Sequence, residues 1–403
     1  TSPGIEASQF NYNIEGNGQS YLVFQNLDLE EANQYGLIFH VSTASNVVVN
    51  GVMANKAYYS GISSGGSTAQ TYVTVENCTT SWNGGSGIEV DTPSNYWTIQ
   101  NNQVFNNSQV YNSGDTNTWY TGGIKSWAGN ALVQNIVVQG NTVYNQGVLP
   151  DGSLVNITTT AAGIWFDTNE SVTWTGGPLI TKNNVYRNAG CGILLESTSY
   201  ATASYNLVHD NNLARANDWG IRATDWHYAN PASGNRIYNN VVYGNSNGIQ
   251  IAGSQGQQAN RCSGNQVINN IVLGNGPGGS QFVAAYGGEN DRTMGSGNIY
   301  IYNCFGPQGT NFIGWGNAIF MNSYAAWYAA YPAANGNTIQ VAPLFVDVST
   351  PDFHLQSTSP CINAGINVGL TTDYAGNPVP DVPDIGAYEF VAPVTSPTGL
   401  RLY

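Results

Sequence analysis

The sequence predicts an all-β chain wound as a single-stranded right-handed parallel β-helix, with long loops on one side and a C-terminal capping segment. Three observations predict it. A short asparagine motif recurs along the chain, a Gly-Ile strand follows each copy, and the composition is rich in glycine and poor in charge.

The motif is Asn-x-Val-x-x-Asn. It appears at Asn50-Val52-Asn55, Asn102-Val104-Asn107, Asn183-Val185-Asn188, Asn206-Val208-Asn211, Asn240-Val242-Asn245 and Asn270-Val272-Asn275, with degenerate copies at Asn77 and Asn141. An alternating apolar strand precedes each copy, as in VVVN or NRIYNN. The Gly-Ile strands begin at Gly61, Gly87, Gly123, Gly163, Gly192, Gly220 and Gly248. The shortest complete unit runs 23 residues, from Asn183 to Asn206, the length of one solenoid coil. One coil cannot bury its apolar face alone, so coils stack with strands about 4.8 Å apart and like residues lie over like. Val and Ile then form interior columns, Asn bonds to the turns above and below, and Gly is expected where φ is positive.

Charged residues make up 8% of the chain, which suits a stack that buries neutral polar ladders, because charges are costly to bury. The 41% apolar and 12% aromatic content argues against disorder. The net charge of −14 offers no basic footprint for nucleic acid or an anionic membrane surface, so neither is expected as a partner. No apolar run reaches the roughly 18 residues of a membrane span. The opening at Thr1 rather than Met fits a processed or trimmed leader, and the expected setting is secreted, extracellular and bacterial. The five cysteines show no metal-type spacing; a Cys262–Cys304 bridge and buried thiols are the two readings.

In order along the chain, residues 1–342 read as the β-helix and 343–390 as a closing segment that shields the open strand edges of the end. Residues 391–403 read as a linker, with a further domain expected beyond it. The one helical candidate is Ser323–Tyr331 (SYAAWYAAY), expected to pack outside the stack.

Two coils are long between the motif and the glycine: Asn102 to Gly123 takes 21 residues and Asn141 to Gly163 takes 22, against 8 to 14 elsewhere. Long loops on neighbouring coils build clefts. Aligned on glycine, the second and fourth following positions point outward. The second gives Glu89, Lys125, Trp165, Leu194, Arg222 and Gln250; the fourth gives Asp91, Trp127, Asp167, Glu196, Thr224 and Ala252. Asp167 and Glu196 thus share one outward column on consecutive coils, about 5 Å apart. Retaining glycosidases hold their two carboxyl groups about 5–5.5 Å apart, and acids this close cannot both ionise easily. Asp167 and Glu196 are therefore the catalytic candidates. Lys125, Glu89, Asp91, Arg222, Asp225 and His227 are candidates for substrate binding, with Trp119, Tyr120, Trp127, Trp165 and Trp226 as ring-stacking walls. The competing readings are solvated surface acids, a Lys125 that only pairs with Asp167, a surface His227, and carboxylates that hold calcium. No cofactor is expected, calcium in a structural or substrate-bridging role excepted.

The segments GGIKSW (Gly122–Trp127), GIWFDT (Gly163–Thr168) and GILLESTSYATASYNLVHDN (Gly192–Asn211) resemble secreted bacterial right-handed β-helix repeat proteins with a GGxK, GxWxD, GIxxExS succession. The last two are also similar to the β-helical retaining β-xylosidase family. That resemblance implies a pectate-lyase-like solenoid, with Asp167 as nucleophile and Glu196 as acid/base. It covers about 90 residues, and the inserted Thr173–Gly177 (TWTGG) departs from the pattern at the substrate edge. The polygalacturonase runs NTD, DD, GHG and RIK are not seen. A polysaccharide lyase or epimerase on a uronic-acid polymer, using Lys125, Arg222 and the acidic column, is the alternative, and a non-catalytic glycan-binding helix the third reading.

Overall fold

The computed structural model describes residues 10–392 except 41, 67, 92–93, 110–120, 130–133, 156–160, 170, 172, 215–217, 226–230, 254–261, 277–280, 285–294 and 317–318. Strands that neighbour each other within a sheet are mostly three strands apart in sequence, so the chain visits three sheets in rotation. Pairing between coils is parallel and in register throughout. The antiparallel exceptions come late, where Ile313–Trp315 meets Ile319–Met321 and where Phe345–Asp347 meets Asp352–Leu355. No helix among the described residues is long and apolar enough to cross a membrane.

The isoleucine column predicted from the Gly-Ile strands is present. Ile62, Ile88, Ile124, Ile164, Ile193, Ile221 and Ile249 pair in register and lie fully buried in one continuous core. Each such side chain contributes about 1.5–3 kcal/mol of hydrophobic stabilisation. The preceding glycines are not at positive φ, contrary to expectation. They are needed because the next turn leaves no room: a Cβ on Gly163 would sit 2.4 Å from Val185 Cγ1, and one on Gly192 would sit 2.4 Å from Val208 Cγ1. Left-handed corners are taken largely by other residues, such as Asn101, Lys182 and Tyr205.

The asparagine motif resolves into two ladders. Its first residue belongs to Asn102–Asn141–Asn183–Asn206–Asn240–Asn270–Asn303, where each side-chain amide donates to the next carbonyl at 2.9–3.1 Å. Its last residue belongs to Asn83–Asn107–Gln146–Asn188–Asn211–Asn245–Asn275. The five-residue spacing is thus two buried corners with a three-residue strand between them, its central Val pointing inward. The copies at Asn50 and Asn77 are out of step. Position 102 of the ladder continues upward as Cys78, and Thr79 bonds to Val52, so the two coils before the ladder's start fill its site with Val52 and Cys78.

The helix Tyr324–Ala330 forms as read, capped by the Ser323 hydroxyl, which accepts from Ala326 N. Its place differs from the expected one. Tyr324 and Trp327 are buried in the main core, with Trp327 4.7 Å from the Trp315 ring, so the helix plugs the solenoid interior instead of lying outside it. Residues 343–390 lie along the flank of the third sheet, where Phe345, Phe353, Ile385 and Tyr388 cover Leu207, Val241 and Ile271. All five cysteines are buried and none is in a disulfide, so the Cys262–Cys304 bridge is not formed. The thiol beside Cys361 is that of Cys304, which together with burial pushes Cys361 far up.

Candidate active site

The outward face of the first sheet reproduces the predicted columns. Asp91, Trp127, Asp167, Glu196, Thr224 and Ala252 are successive register partners, and so are Glu89, Lys125, Trp165, Leu194, Arg222 and Gln250. Asp167 and Glu196 are direct partners on the adjacent strands Ala162–Asp167 and Ile193–Glu196. Asp91 and Glu89 lie two coils from Asp167, with Trp127 and Lys125 between them.

Burial overturns the reading of Asp167 and Glu196 as solvated decoration. Lys125, Trp165, Asp167, Leu194, Glu196, Thr224, Asp225 and Gln250 are all buried, while Trp127 is 41% exposed. Ala162, Trp165, Cys191 and Leu194 make a small apolar cluster of their own on this face, separate from the solenoid core. Beside it, Lys125 Nζ lies 3.7 Å from Asp167 Oδ2 and 4.1 Å from the centre of the Trp165 ring. The lysine does pair with the acid, as the alternative reading held, and it does so at a buried site.

Local chain geometry aims the two acids. Each ends its strand at a residue in the left-handed region, Thr168 (φ 54°) after Asp167 and Ser197 (φ 46°) after Glu196. A β-branched residue rarely adopts that conformation, and such strain concentrates at functional sites. The backbone is held there by its own side chains. Thr168 Oγ1 and Asn169 Nδ2 donate to the Asp167 carbonyl at 2.7 and 3.0 Å, and Thr198 Oγ1 donates to the Glu196 carbonyl at 3.0 Å. Ser126 Oγ ties Asn169 to the coil below at 2.9 Å. These supports were missed in the sequence, although each acid is followed by hydroxyl or amide residues, Asp167-Thr168-Asn169 and Glu196-Ser197-Thr198.

Burial and the charge of Asp167 raise the Glu196 carboxyl to about 7, against the opposing pull of Arg222, Lys125 and the Trp165 side chain. Glu196 is thereby poised to hold and release a proton near neutrality. Asp91 is also pushed well up, by burial and by Glu89, with Lys125 opposing. Glu89 accepts the Ser60 hydroxyl at 2.8 Å. Arg222 lies 3.6 Å from Asp218, a residue the sequence reading passed over. Asp225 is buried at the end of the Ile221–Asp225 strand. Trp119, Tyr120, Trp226 and His227 lie outside the described residues. Among the described residues no three His, Cys, Asp or Glu side chains are grouped to hold a metal ion.

A family model described as a right-handed beta helix region matches residues 171–272. No curated protein matches the sequence. Among solved structures, the chain is similar to the pectate lyase Pel9A, at 17% identity over 96% of this chain and 85% of that one, with a TM-score of 0.51. A complex of XylC with xylose matches at 11% identity over 89% and 60% of the two chains, TM-score 0.43. A periplasmic alginate epimerase, AlgG, matches at 12% identity over 74% and 69%, TM-score 0.45. At such identities the likeness to Pel9A concerns architecture alone. With three in-register parallel sheets, two amide ladders and that match over nearly its whole length, the chain is an all-β right-handed parallel β-helix of the pectate-lyase-like kind.

Proposed function

We propose that the protein is a carbohydrate-active enzyme, a retaining glycoside hydrolase of a poly- or oligosaccharide, acting outside the cell. The observation that carries the reading is the direct register pairing of Asp167 with Glu196. Strands about 4.8 Å apart bring the two carboxyl groups into the range of roughly 5–5.5 Å that covalent glycoside cleavage uses. Asp167, ion-paired with Lys125, attacks the anomeric carbon. Glu196, raised to about 7, protonates the leaving oxygen and then takes a proton from the incoming water. Exposed Trp127 offers a ring face to a sugar beside the pair.

A second reading, a lyase or epimerase acting on a uronic-acid polymer, is favoured by the cations. Lys125 and Arg222 both act on the acid column, and either one can meet a uronate carboxylate. The architecture shared with a pectate lyase agrees with that reading.

Incubation with a panel of neutral and acidic glycans, followed by NMR of the products, separates the two. Hydrolysis with the anomeric configuration kept supports the first. Ultraviolet absorbance from unsaturated uronate ends, or inversion at C5 without cleavage, replaces it with the second. If Asp167→Asn and Glu196→Gln both keep full hydrolytic activity, the covalent mechanism is wrong.

A further inference from the structure

Just before the Ile221–Asp225 strand, the side chain of Asp218 is buried. Its Oδ1 accepts the thiol hydrogen of Cys191 at 2.8 Å and lies 3.6 Å from Arg222 Nη1. Burial and the Asp218 charge push the Cys191 thiol well up, so it stays protonated and remains a donor. Cys191 opens the coil that delivers Glu196, and Arg222 lies on the next coil, diagonal to Glu196: the register partner of Arg222 is Leu194, and that of Glu196 is Thr224. Side chains offset in this way start about 7–8 Å apart, within an arginine's reach. The groups acting on Glu196 are Asp167 and the Trp165 side chain from the preceding strand, Lys125 from the strand before that, and Arg222 from the following one. Of these, Arg222 favours the ionised form of Glu196 most.

We propose that Asp218 is a positioning residue that holds the Arg222 guanidinium back along its strand and shares its charge, leaving Glu196 able to keep its proton. This rests on the assignment of Glu196 as the acid. An arginine left uncompensated beside a general acid strips it of the proton it must donate. The Asp218 carboxylate, fixed from behind by the Cys191 thiol, prevents that while leaving a cation beside the pair to orient a substrate. An ordinary four-residue ion pair on a surface would need no buried thiol donor behind it.

The test is the titration of Glu196 itself, followed by NMR in protein carrying carbon-13 in its glutamate carboxyl groups, with Glu196→Gln to assign the signal. Asp218→Asn should lower the midpoint from about 7 by about one pH unit, and Asp218→Glu should restore most of the shift. In an Arg222→Gln background, Asp218→Asn should move the midpoint little, because the aspartate acts through the arginine. An unchanged midpoint in a folded Asp218→Asn protein overturns the inference, and so does an equal shift with and without Arg222. Should Asp218→Asn fail to fold, Cys191→Ala, which removes the thiol donor, must lower the midpoint in the same direction or the inference falls. A midpoint that moves as expected in a protein that cleaves no glycan leaves Asp218 in its role and removes the hydrolase reading. Where cleavage occurs, the alkaline limb of the pH profile must move with the midpoint.

Discussion

The outward faces of the first and third sheets come from the same coils, yet they are built on opposite principles. On the third sheet, Phe105, Tyr144, Tyr186 and His209 stack ring on ring at 5.0–5.1 Å, nearly parallel from coil to coil. Like lies over like, and each ring stabilises its neighbour by about 0.5–1.5 kcal/mol beyond its buried area. On the first sheet the equivalent columns change character at nearly every coil: acid, tryptophan, acid, acid, threonine in one, and acid, lysine, tryptophan, leucine, arginine in the other. Repetition holds the solenoid together. The broken repetition, buried and charged, brings Lys125, Asp167 and Glu196 together.

That contrast can be broken experimentally. The largest effect is expected at the acid pair: Asp167→Asn or Glu196→Gln should lower kcat by about 1,000-fold, measured on whichever glycan is cleaved, and Asp167→Asn should also lower the unfolding temperature because it leaves buried Lys125 without its carboxylate. Next comes the amide ladder. Asn183 donates to Val138 O and Asn206 Oδ1 and accepts from both nitrogens of Asn141, so Asn183→Ala strands several buried groups and should cost about 2–4 kcal/mol, read as a lower melting temperature. A smaller effect, about 1 kcal/mol per lost ring pair, is expected for Tyr144→Leu, with activity unaltered. The contrast is sharpened by pH. Glu196 must be protonated to act as an acid, so on the alkaline side activity should fall about tenfold for each pH unit above about 7, while the acid limb reports protonation of the nucleophile. A rate that instead rises through that range would assign Glu196 the role of a base.

Much of this was legible in the chain because a solenoid turns sequence alignment into spatial register. Counting two and four residues from each glycine placed the six named members of each outward column, Glu89 to Gln250 and Asp91 to Ala252, in true register. The last five full copies of the asparagine motif marked both corners of the ladders as well. The first coils misled because Asn50 and Asn77 imitate the motif while Val52 and Cys78 hold the ladder position. Burial of the outward face was not legible, since alternation gives a side chain's direction and not what covers it. Asp218 escaped notice because it precedes its strand and acts through a neighbour. The alanine-rich helix near residue 327 looked like an external ornament, and only the open end of the stack explains its buried tryptophan.

The two amide ladders have a consequence for how such a chain can change. Because both repeat nearly unchanged from the Asn102 coil onward, an added complete turn there finds its hydrogen bonds ready-made above and below, and costs the scaffold little. Placed between the strands that end in Asp167 and Glu196, one extra turn would separate the carboxyl groups by two strand spacings, about 9.6 Å. That is near the upper edge of the roughly 6.5–9.5 Å window in which a water molecule fits between two acids and the sugar leaves with inverted configuration. In a solenoid, the separation of two groups on one outward column comes in whole numbers of turns.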